Sequence, residues 1–461
     1  MQSFIGRERQ LKFLADSWRE PKSGFIPIYG RRRVGKSELI LRFLKGKPGL
    51  YYVGKRAPAG LQIREFLEMA ATVLDEPLLA TYPAEGWGQA IDEVMKRRPP
   101  GQKIILALDE FQWMVEASPE LPSMIQERWD RHWQHSNDVL LILCGSYIGF
   151  MEREVLGRKS PLFGRRTGQI LLKPFDYREA ADFHPRYSRV DQARTYFICG
   201  GVPFYLRTIA ASRSFEQNLM HQMLDENAVL YGEADFLLRE ELREVESYYA
   251  LLLAVAGGAS TAGDIAQKSG IAPNSLPYYL KQLTELGYVV RRYPLNGQHR
   301  STRHVRYDLN DPLLRFYFRF IFPEQSQLRR LGPERGFRQL VQPQLDAYFG
   351  LCFERLCREA LPWIYDREGV EAAFEVGEFW SKKTQIDVVG LRDDGWTDLG
   401  ECKWGTLRSA PAVEREIEEK MKLYPNSRNA TLAPRVFARN KRQGRKGTSD
   451  VRWHSLTDLY D

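Results

Sequence analysis

Five cysteines in 461 residues are too few, and too scattered, to build a covalent framework. Cys144, Cys199, Cys352, Cys357 and Cys402 are odd in number and show no Cys-x-x-Cys spacing, which argues against both a disulfide scaffold and a zinc site. The seven histidines are scattered as well. No apolar run approaches the ~20 residues a membrane helix needs. The first residues, Met1-Gln2-Ser3-Phe4-Ile5-Gly6-Arg7-Glu8-Arg9, place charges where a signal peptide has its apolar centre. A cytoplasmic protein with no membrane partner is expected. Acids are outnumbered by bases, 59 against 67, and the net charge of +8 is compatible with an acidic polymer as partner, although whole-chain charge alone says little. At 43% apolar and 27% charged residues the chain is neither disordered nor fibrous. Its length calls for about three domains.

What is present begins with Phe25-Ile26-Pro27-Ile28-Tyr29, a short apolar strand running into Gly30-Arg31-Arg32-Arg33-Val34-Gly35-Lys36-Ser37. Gly-x-x-x-x-Gly-Lys-Ser between a strand and an apolar helix is a phosphate-cradling P-loop. The glycines let the backbone turn its N–H groups inward, and a helix starting near Lys36 adds the positive end of its dipole. Lys36 is expected on the β and γ phosphates of ATP, and the Ser37 hydroxyl on Mg²⁺. The alternative, a plain glycine turn, does not need the flanking strand and helix that are there.

A P-loop ATPase also needs a carboxylate on a neighbouring strand and a group that orients the attacking water. Ile104-Ile105-Leu106-Ala107-Leu108-Asp109-Glu110 supplies both, Asp109 acting on Mg²⁺ directly or through water and Glu110 polarising the hydrolytic water. The strand Val139 to Cys144 ends in Gly145-Ser146-Tyr147, which makes Ser146 a candidate γ-phosphate sensor. Arg165 or Arg166 could neutralise transition-state charge, in cis or from a neighbouring subunit of a homo-oligomer. A solvated basic turn is the competing explanation.

Strands alternate with helical patterns from Phe4 to about Leu206, as a parallel sheet with helices on both faces requires. The expected division is an ATPase domain over 1–206, a helical lid or connector over 207–245, a winged helix-turn-helix over 246–322, a linker over 323–343, and an α/β domain over 344–461. In the winged helix, Asn274 suits an N-cap and Gly287 a C′ position. From Leu286 to Tyr307 there are five arginines and no acid, a strip that could lie along a phosphate backbone; a packing module or lid is the other reading.

The C-terminal part carries acids in strand-like contexts. Asp387 lies in Thr384-Gln385-Ile386-Asp387-Val388-Val389, and Glu401-Cys402-Lys403 follows after the polar turn Asp393-Asp394-Gly395. If the two strands pair, they gather two carboxylates and an amine, since Glu401 and Lys403 share a strand face. That set suits metal-assisted phosphodiester hydrolysis. Asp387 and Glu401 would hold Mg²⁺ or Mn²⁺ with the Cys402 carbonyl, Lys403 would orient the water or stabilise the phosphorane, and Glu354 on the preceding helix could complete the shell. A cross-strand salt bridge explains the same residues without catalysis. The stretch Arg435 to Lys446 holds six Lys or Arg and no acid, readable as phosphate contact or as a solvated loop.

Taken together, Phe4-Ile5-Gly6-Arg7-Glu8, the P-loop, Leu108-Asp109-Glu110-Phe111-Gln112 and Phe163-Gly164-Arg165-Arg166-Thr167 resemble the archaeal-type ATPases, a family within the signal-transducing (STAND) branch of the AAA-like P-loop NTPases. The resemblance covers about residues 1–325. It implies that Arg7 lies near the adenine and that the turn Gly201-Val202-Pro203 helps sense nucleotide at the lid. The C-terminal part resembles the PD-(D/E)XK restriction-endonuclease-like nucleases, with Glu354, Asp387, Glu401 and Lys403 matching in order; Gln385 departs from the pattern where an acid is expected. The implied protein binds and hydrolyses ATP and regulates a metal-dependent nuclease acting on nucleic acid, with DNA favoured. The alternative is an ATP-dependent nucleic-acid-binding switch whose nuclease-like domain is inactive.

Overall fold

The computed structural model describes residues 4–99, 101–242, 244–297, 304–407, 409–440 and 450–461. The chain divides into two compact units between Pro174 and Phe175.

The first unit is built on a five-stranded parallel sheet, β1 (Gly24–Tyr29), β2 (Gly49–Val53), β3 (Ile104–Asp109), β4 (Val139–Gly145) and β5 (Ile170–Leu171), in the order β2-β3-β4-β1-β5. Its central strands read as continuous apolar runs because both faces are covered. Ile105 and Ala107 pack with Ile26, Ile28, Leu140 and Ile142 on one face; Leu106 and Leu108 pack with Phe25, Leu141 and Leu143 on the other. β4 separates β1 from β3, and in open α/β sheets ligands bind beyond the carboxyl ends of strands where the strand order reverses in this way. The P-loop, Asp109-Glu110 and Ser146 all follow those ends.

The second unit opens with helices Tyr177–Ala181, Arg189–Cys199 and Pro203–Thr208. Residues 175–206, which the sequence analysis grouped with the ATPase domain, thus pack within this unit. Gly201 is required there, since a Cβ would lie 1.7 Å from the Phe175 carbonyl oxygen.

A winged helix follows, with helices Val245–Ala256, Ala262–Ser269 and Leu276–Glu285 and an antiparallel wing of β6 (Val289–Arg292) and β7 (Arg306–Leu309). Gly287 takes the left-handed conformation expected of it (φ 76°), but the N-cap of the third helix is Ser275, not Asn274, because Pro277 enters in the first turn. The stretch after the winged helix is helical across Gln325–Val341, bent where Gly332 precedes Pro333, and leads into the long helix Gln342–Arg367.

The long helix packs on a second five-stranded sheet, β8 (Phe374–Trp380), β9 (Gln385–Arg392), β10 (Trp396–Lys403), β11 (Thr431–Ala438) and β12 (Arg452–Ser455), ordered β12-β11-β10-β9-β8. β9 and β10 form the hairpin anticipated around Asp393-Asp394-Gly395, while β10, β11 and β12 run parallel. Trp404, just past β10, is clamped by Phe197, Phe349 and Phe353, with ring centroids 5.3, 6.0 and 5.4 Å away. This clamp ties the end of β10 to the helix bearing Glu354. Among the described residues no helix is long and apolar enough to cross a membrane.

Candidate functional sites

The P-loop forms as the glycine spacing requires. Gly30, Arg33 and Gly35 have φ of 153°, 70° and 89°, so the backbone turns through conformations that side chains resist, and at Gly30 a Cβ would lie 2.2 Å from the Leu172 oxygen. The P-loop helix Lys36–Leu44 starts at once, with its N-terminal N–H groups facing the loop. Lys36 is buried, and its ammonium donates to the carbonyls of Gly30 (2.9 Å) and Arg31 (3.0 Å). Burial pulls its pKa down, opposed by Asp109 and Glu110 among others. Carbonyls satisfy its hydrogens without cancelling its charge, so an ATP phosphate fits here.

The Ser37 hydroxyl donates to Asp109 Oδ2 at 2.6 Å, bringing together the two hard oxygen ligands expected for Mg²⁺. Glu110 holds a left-handed backbone (φ 49°), a conformation worth about 1–3 kcal/mol of strain in a residue with a side chain. Its carboxylate accepts from Ser146 Oγ (3.0 Å) and from Gln112 Nε2. Ser146 therefore touches Glu110 itself.

Arg7 is buried beside the P-loop and donates to the carbonyls of Val34 (3.2 Å) and Lys173 (2.8 Å). Arg32 stands over the Tyr147 ring, 5.6 Å from its centroid. The two candidate arginines part company: Arg165 is committed to both oxygens of Asp130, at 2.7 Å each, whereas Arg166 is exposed and opposes the rise that burial causes in the Tyr29 hydroxyl pKa. Pro203 opens a helix of the second unit.

Two members of this site escaped the sequence reading. Tyr51 donates its hydroxyl to Asp109 Oδ2 at 2.6 Å, and its pKa is pushed up by burial and by that carboxylate. Cys144 lies buried at the end of β4, its thiol raised by burial and by Asp109. Neither has a local signal, because only the pairing of β2 and β4 with β3 brings them to Asp109.

In the second unit the Cys402 N–H donates to Asp387 Oδ2 at 3.0 Å, which places the end of β10 against Asp387. Glu401 and Asp387 are buried. Glu354 is raised to about 8, first by burial and then by Asp387; Glu401 is raised to about 7 for the same two reasons. Asp387 thus lies near enough to both Glu354 and Glu401 to be felt by each.

Glu401 is nevertheless occupied. Lys403 reaches its Oε1 at 2.8 Å and Lys420 its Oε2 at 2.5 Å, and both lysines also pair with Glu416. Lys420 and Glu416, four apart on helix Ala410–Lys422, were not singled out in the sequence; their i,i+4 spacing was the only available clue. Carboxylates and the Cys402 carbonyl are the right chemistry for a hard divalent cation. Among the described residues, however, no three His, Cys, Asp or Glu side chains form a metal-holding group as they stand. Gln385 is exposed at the start of β9.

Two expected phosphate-contact strips are corrected in part. Arg435 is fully buried between Asp398 (2.6 Å) and Glu368 (2.7 Å), which removes it from any surface. Arg292 of the wing pairs with Asp308 at 2.5 Å and with both Glu378 oxygens. The wing docks on β8: Leu295 N–H donates to the Glu378 carbonyl at 2.7 Å, and Tyr424 donates to the Leu295 carbonyl at 3.1 Å. Arg291 is exposed, and Arg306 lies 4.6 Å from the Trp380 ring centroid. Arg300 and Arg303, with Lys441, Arg442, Arg445 and Lys446, lie outside the described residues.

Residues 4–209 match the model of an ATPase domain predominantly from Archaea, and residues 317–416 match one described as archaeal and bacterial proteins of unknown function. An uncharacterized protein of Methanocaldococcus jannaschii is 31% identical over 426 residues, 91% of this chain and 92% of that one. An uncharacterized ATP-binding protein of the same organism is 50% identical over 44 residues, 10% of this chain and 75% of that one. The Walker-type ATPase of Pyrococcus abyssi has the same fold, with a TM-score of 0.53 at 19% identity over 68% of this chain and 96% of that one. The chain belongs to the same family as that Methanocaldococcus jannaschii protein of similar length, and it carries an archaeal-type P-loop ATPase domain followed by the second domain of archaeal and bacterial proteins.

Proposed function

We propose that this ATPase regulates a metal-dependent nuclease housed in its own C-terminal sheet, with DNA as the favoured substrate. The observation that supports the proposal is that the Cys402 N–H binds Asp387, setting it beside the strand end that carries Glu401 and its partner Lys403, with Asp387 also felt by Glu354 on the long helix. A hard divalent cation bound by these acids and the Cys402 carbonyl would supply an activated water. The chain's own part is to hold the acids close against their repulsion and to bring Lys403 to the scissile phosphate. β11 ends at Ala438, paired with Lys403, and the sequence then runs Arg439, Lys441, Arg442, Arg445, Lys446.

In the first unit, Lys36 and Ser37 hold the phosphates and Mg²⁺ with Asp109, Glu110 orients the water with support from Ser146, and Arg7 flanks the loop toward the adenine. Arg166 is the better candidate for a charge-neutralising arginine, acting in cis or across a homo-oligomer.

A second reading has a specific observation behind it. The lysine clamp on Glu401, together with Gln385 in place of an acid, favours an ATP-dependent nucleic-acid-binding switch that does not cut. End-labelled single-stranded and duplex DNA, incubated with Mg²⁺ or Mn²⁺ with and without ATP, separates the two. Cleavage by the wild type that disappears in Asp387→Ala establishes the nuclease, and Lys36→Ala then reports whether ATP controls it. ATP hydrolysis with DNA binding but no cleavage selects the switch.

A further inference from the structure

The second unit contains a cavity of about 510 Å³ whose arginines neither reading uses, between the winged helix and the long helix. Five guanidiniums line it, those of Arg292, Arg315, Arg319, Arg355 and Arg358, against the carboxylates of Asp308 and Glu354. The apolar lining comes from Val255, Leu309, Ala347, Tyr348 and Leu351.

The arginines are hydrogen-bonded but poorly neutralised. Asp308 serves both Arg292 and Arg355, and Glu378, behind the lining, serves both Arg292 and Arg358. The remaining acceptors carry no charge. Arg315 donates to the Leu309 carbonyl (3.3 Å) and to Cys352 Sγ (3.2 Å), Arg319 to Gln344 Oε1 (2.7 Å), Arg355 to the Leu309 carbonyl (2.8 Å), and Arg358 to the Asp387 carbonyl (2.6 Å). Among the described residues no carboxylate bridges Arg315 or Arg319. Packing five guanidiniums around one space costs charge repulsion and desolvation that neutral acceptors do not repay. An arginine cluster of this kind suits a phosphate, which accepts several charge-assisted bonds at once, and an aromatic and aliphatic wall suits a flat heterocycle.

We propose that this cavity is a second nucleotide site, separate from the P-loop, which binds a phosphorylated nucleoside with its phosphate on the arginines and its base against Tyr348 and Leu351. The phosphorylated nucleoside is either a free mononucleotide or the 5′-phosphorylated end of a nucleic-acid strand. Its existence does not depend on the nuclease reading, since none of the five arginines is a candidate catalytic group. The ligand would bridge the winged helix to the helix that carries Glu354.

The test is calorimetric titration of the full chain carrying Lys36→Ala, which removes the principal P-loop cation, with AMP, 5′-phosphoadenylyl-adenosine, adenosine and inorganic phosphate as probes. Arg319→Glu and Leu351→Arg are then added singly. Both residues are exposed, so the folded state survives, as an unchanged thermal midpoint will show. Saturable binding of AMP, weakened at least about tenfold by each added substitution, supports a free-nucleotide site. Binding of the dinucleotide but not AMP, with the same sensitivity, supports capture of a strand end. The proposal is overturned by no probe saturating below millimolar concentration, by adenosine binding as well as AMP, or by affinity indifferent to both substitutions. Inorganic phosphate binding as tightly as AMP also overturns it, because the apolar wall would then play no part.

Discussion

The two polar centres of this molecule hold their charges in opposite ways. In the first unit Lys36 rests on two carbonyls and Ser37 on Asp109, so the groups proposed to meet nucleotide are ordered by partners that leave the Lys36 charge available. In the second unit Glu401 is gripped by two ammoniums, which must shift before it can ligate a cation. The first site is pre-organised for its ligand, whereas the second is held closed by internal ion pairs. That contrast accounts for the ease with which ATPase chemistry is assigned and for the need to test the nuclease directly.

The largest effect is expected where pre-organisation is greatest. Lys36→Ala should abolish measurable ATP binding at the P-loop, and Glu110→Gln should keep binding while lowering turnover by about 10²–10⁴, the usual worth of a positioned base. Fluorescent-nucleotide binding and phosphate release measure the two separately. Normal turnover in Glu110→Gln would remove the assigned water-orienting group and blunt the contrast between the sites.

The next effect is on stability. Trp404 is buried among three phenylalanine rings, and Trp404→Ala should cost the second unit about 3–5 kcal/mol. Urea unfolding followed by a probe in that unit should show the loss. ATP hydrolysis at temperatures below the transition should be spared if the first unit carries that chemistry alone.

A comparable term depends on pH. His454 is buried, stacks on Phe437 with ring centroids 5.2 Å apart, and receives Arg435 Nη1 at 3.1 Å, so its ring is held neutral. Burial and the Arg435 charge lower its pKa from 6.5 to about 4. Its contribution is therefore fully present above pH 6.5 and is lost as pH falls toward 4. The loss amounts to about 3 kcal/mol. Comparing unfolding free energies of wild type and His454→Gln across that window isolates it; parallel curves would show that His454 binds protons alike in the folded and unfolded states.

The smallest expected effect distinguishes two adjacent arginines. Arg165→Ala breaks a partly exposed ion pair with Asp130 and should cost about 1 kcal/mol or less with ATP turnover intact. Arg166→Ala should leave stability unchanged and slow turnover. The reverse pattern would return the charge-neutralising role to Arg165.

Much of the first site was legible because its parts are contiguous. A P-loop is one turn between one strand and one helix, and Asp109-Glu110 closes a single apolar strand, so local spacing carries the chemistry. Tyr51 and Cys144 were invisible for the complementary reason: each is ordinary in its own strand and meets Asp109 only through the order β2-β3-β4. In the C-terminal sheet, spacing and strand alternation were enough to nominate Asp387, Glu401 and Lys403, and the polar turn between them was enough to anticipate the hairpin. They could not show that Lys420 and Glu416, from the next helix, would join the same charge network. Nor could they distinguish a surface arginine from a buried one. Arg435 and Arg292 belong to basic stretches by sequence and to internal ion pairs by structure.

The sequence by itself determined the local chemistry: the phosphate-cradling turn, the acids at strand ends and the alternation that puts Glu401 and Lys403 on one face. These depend on backbone period and on residues adjacent in the chain. Tertiary structure decided which charges are spent and which are available. Ion pairing and burial arise between segments tens or hundreds of residues apart, and a charge is set by whatever partner the fold brings within a few ångströms.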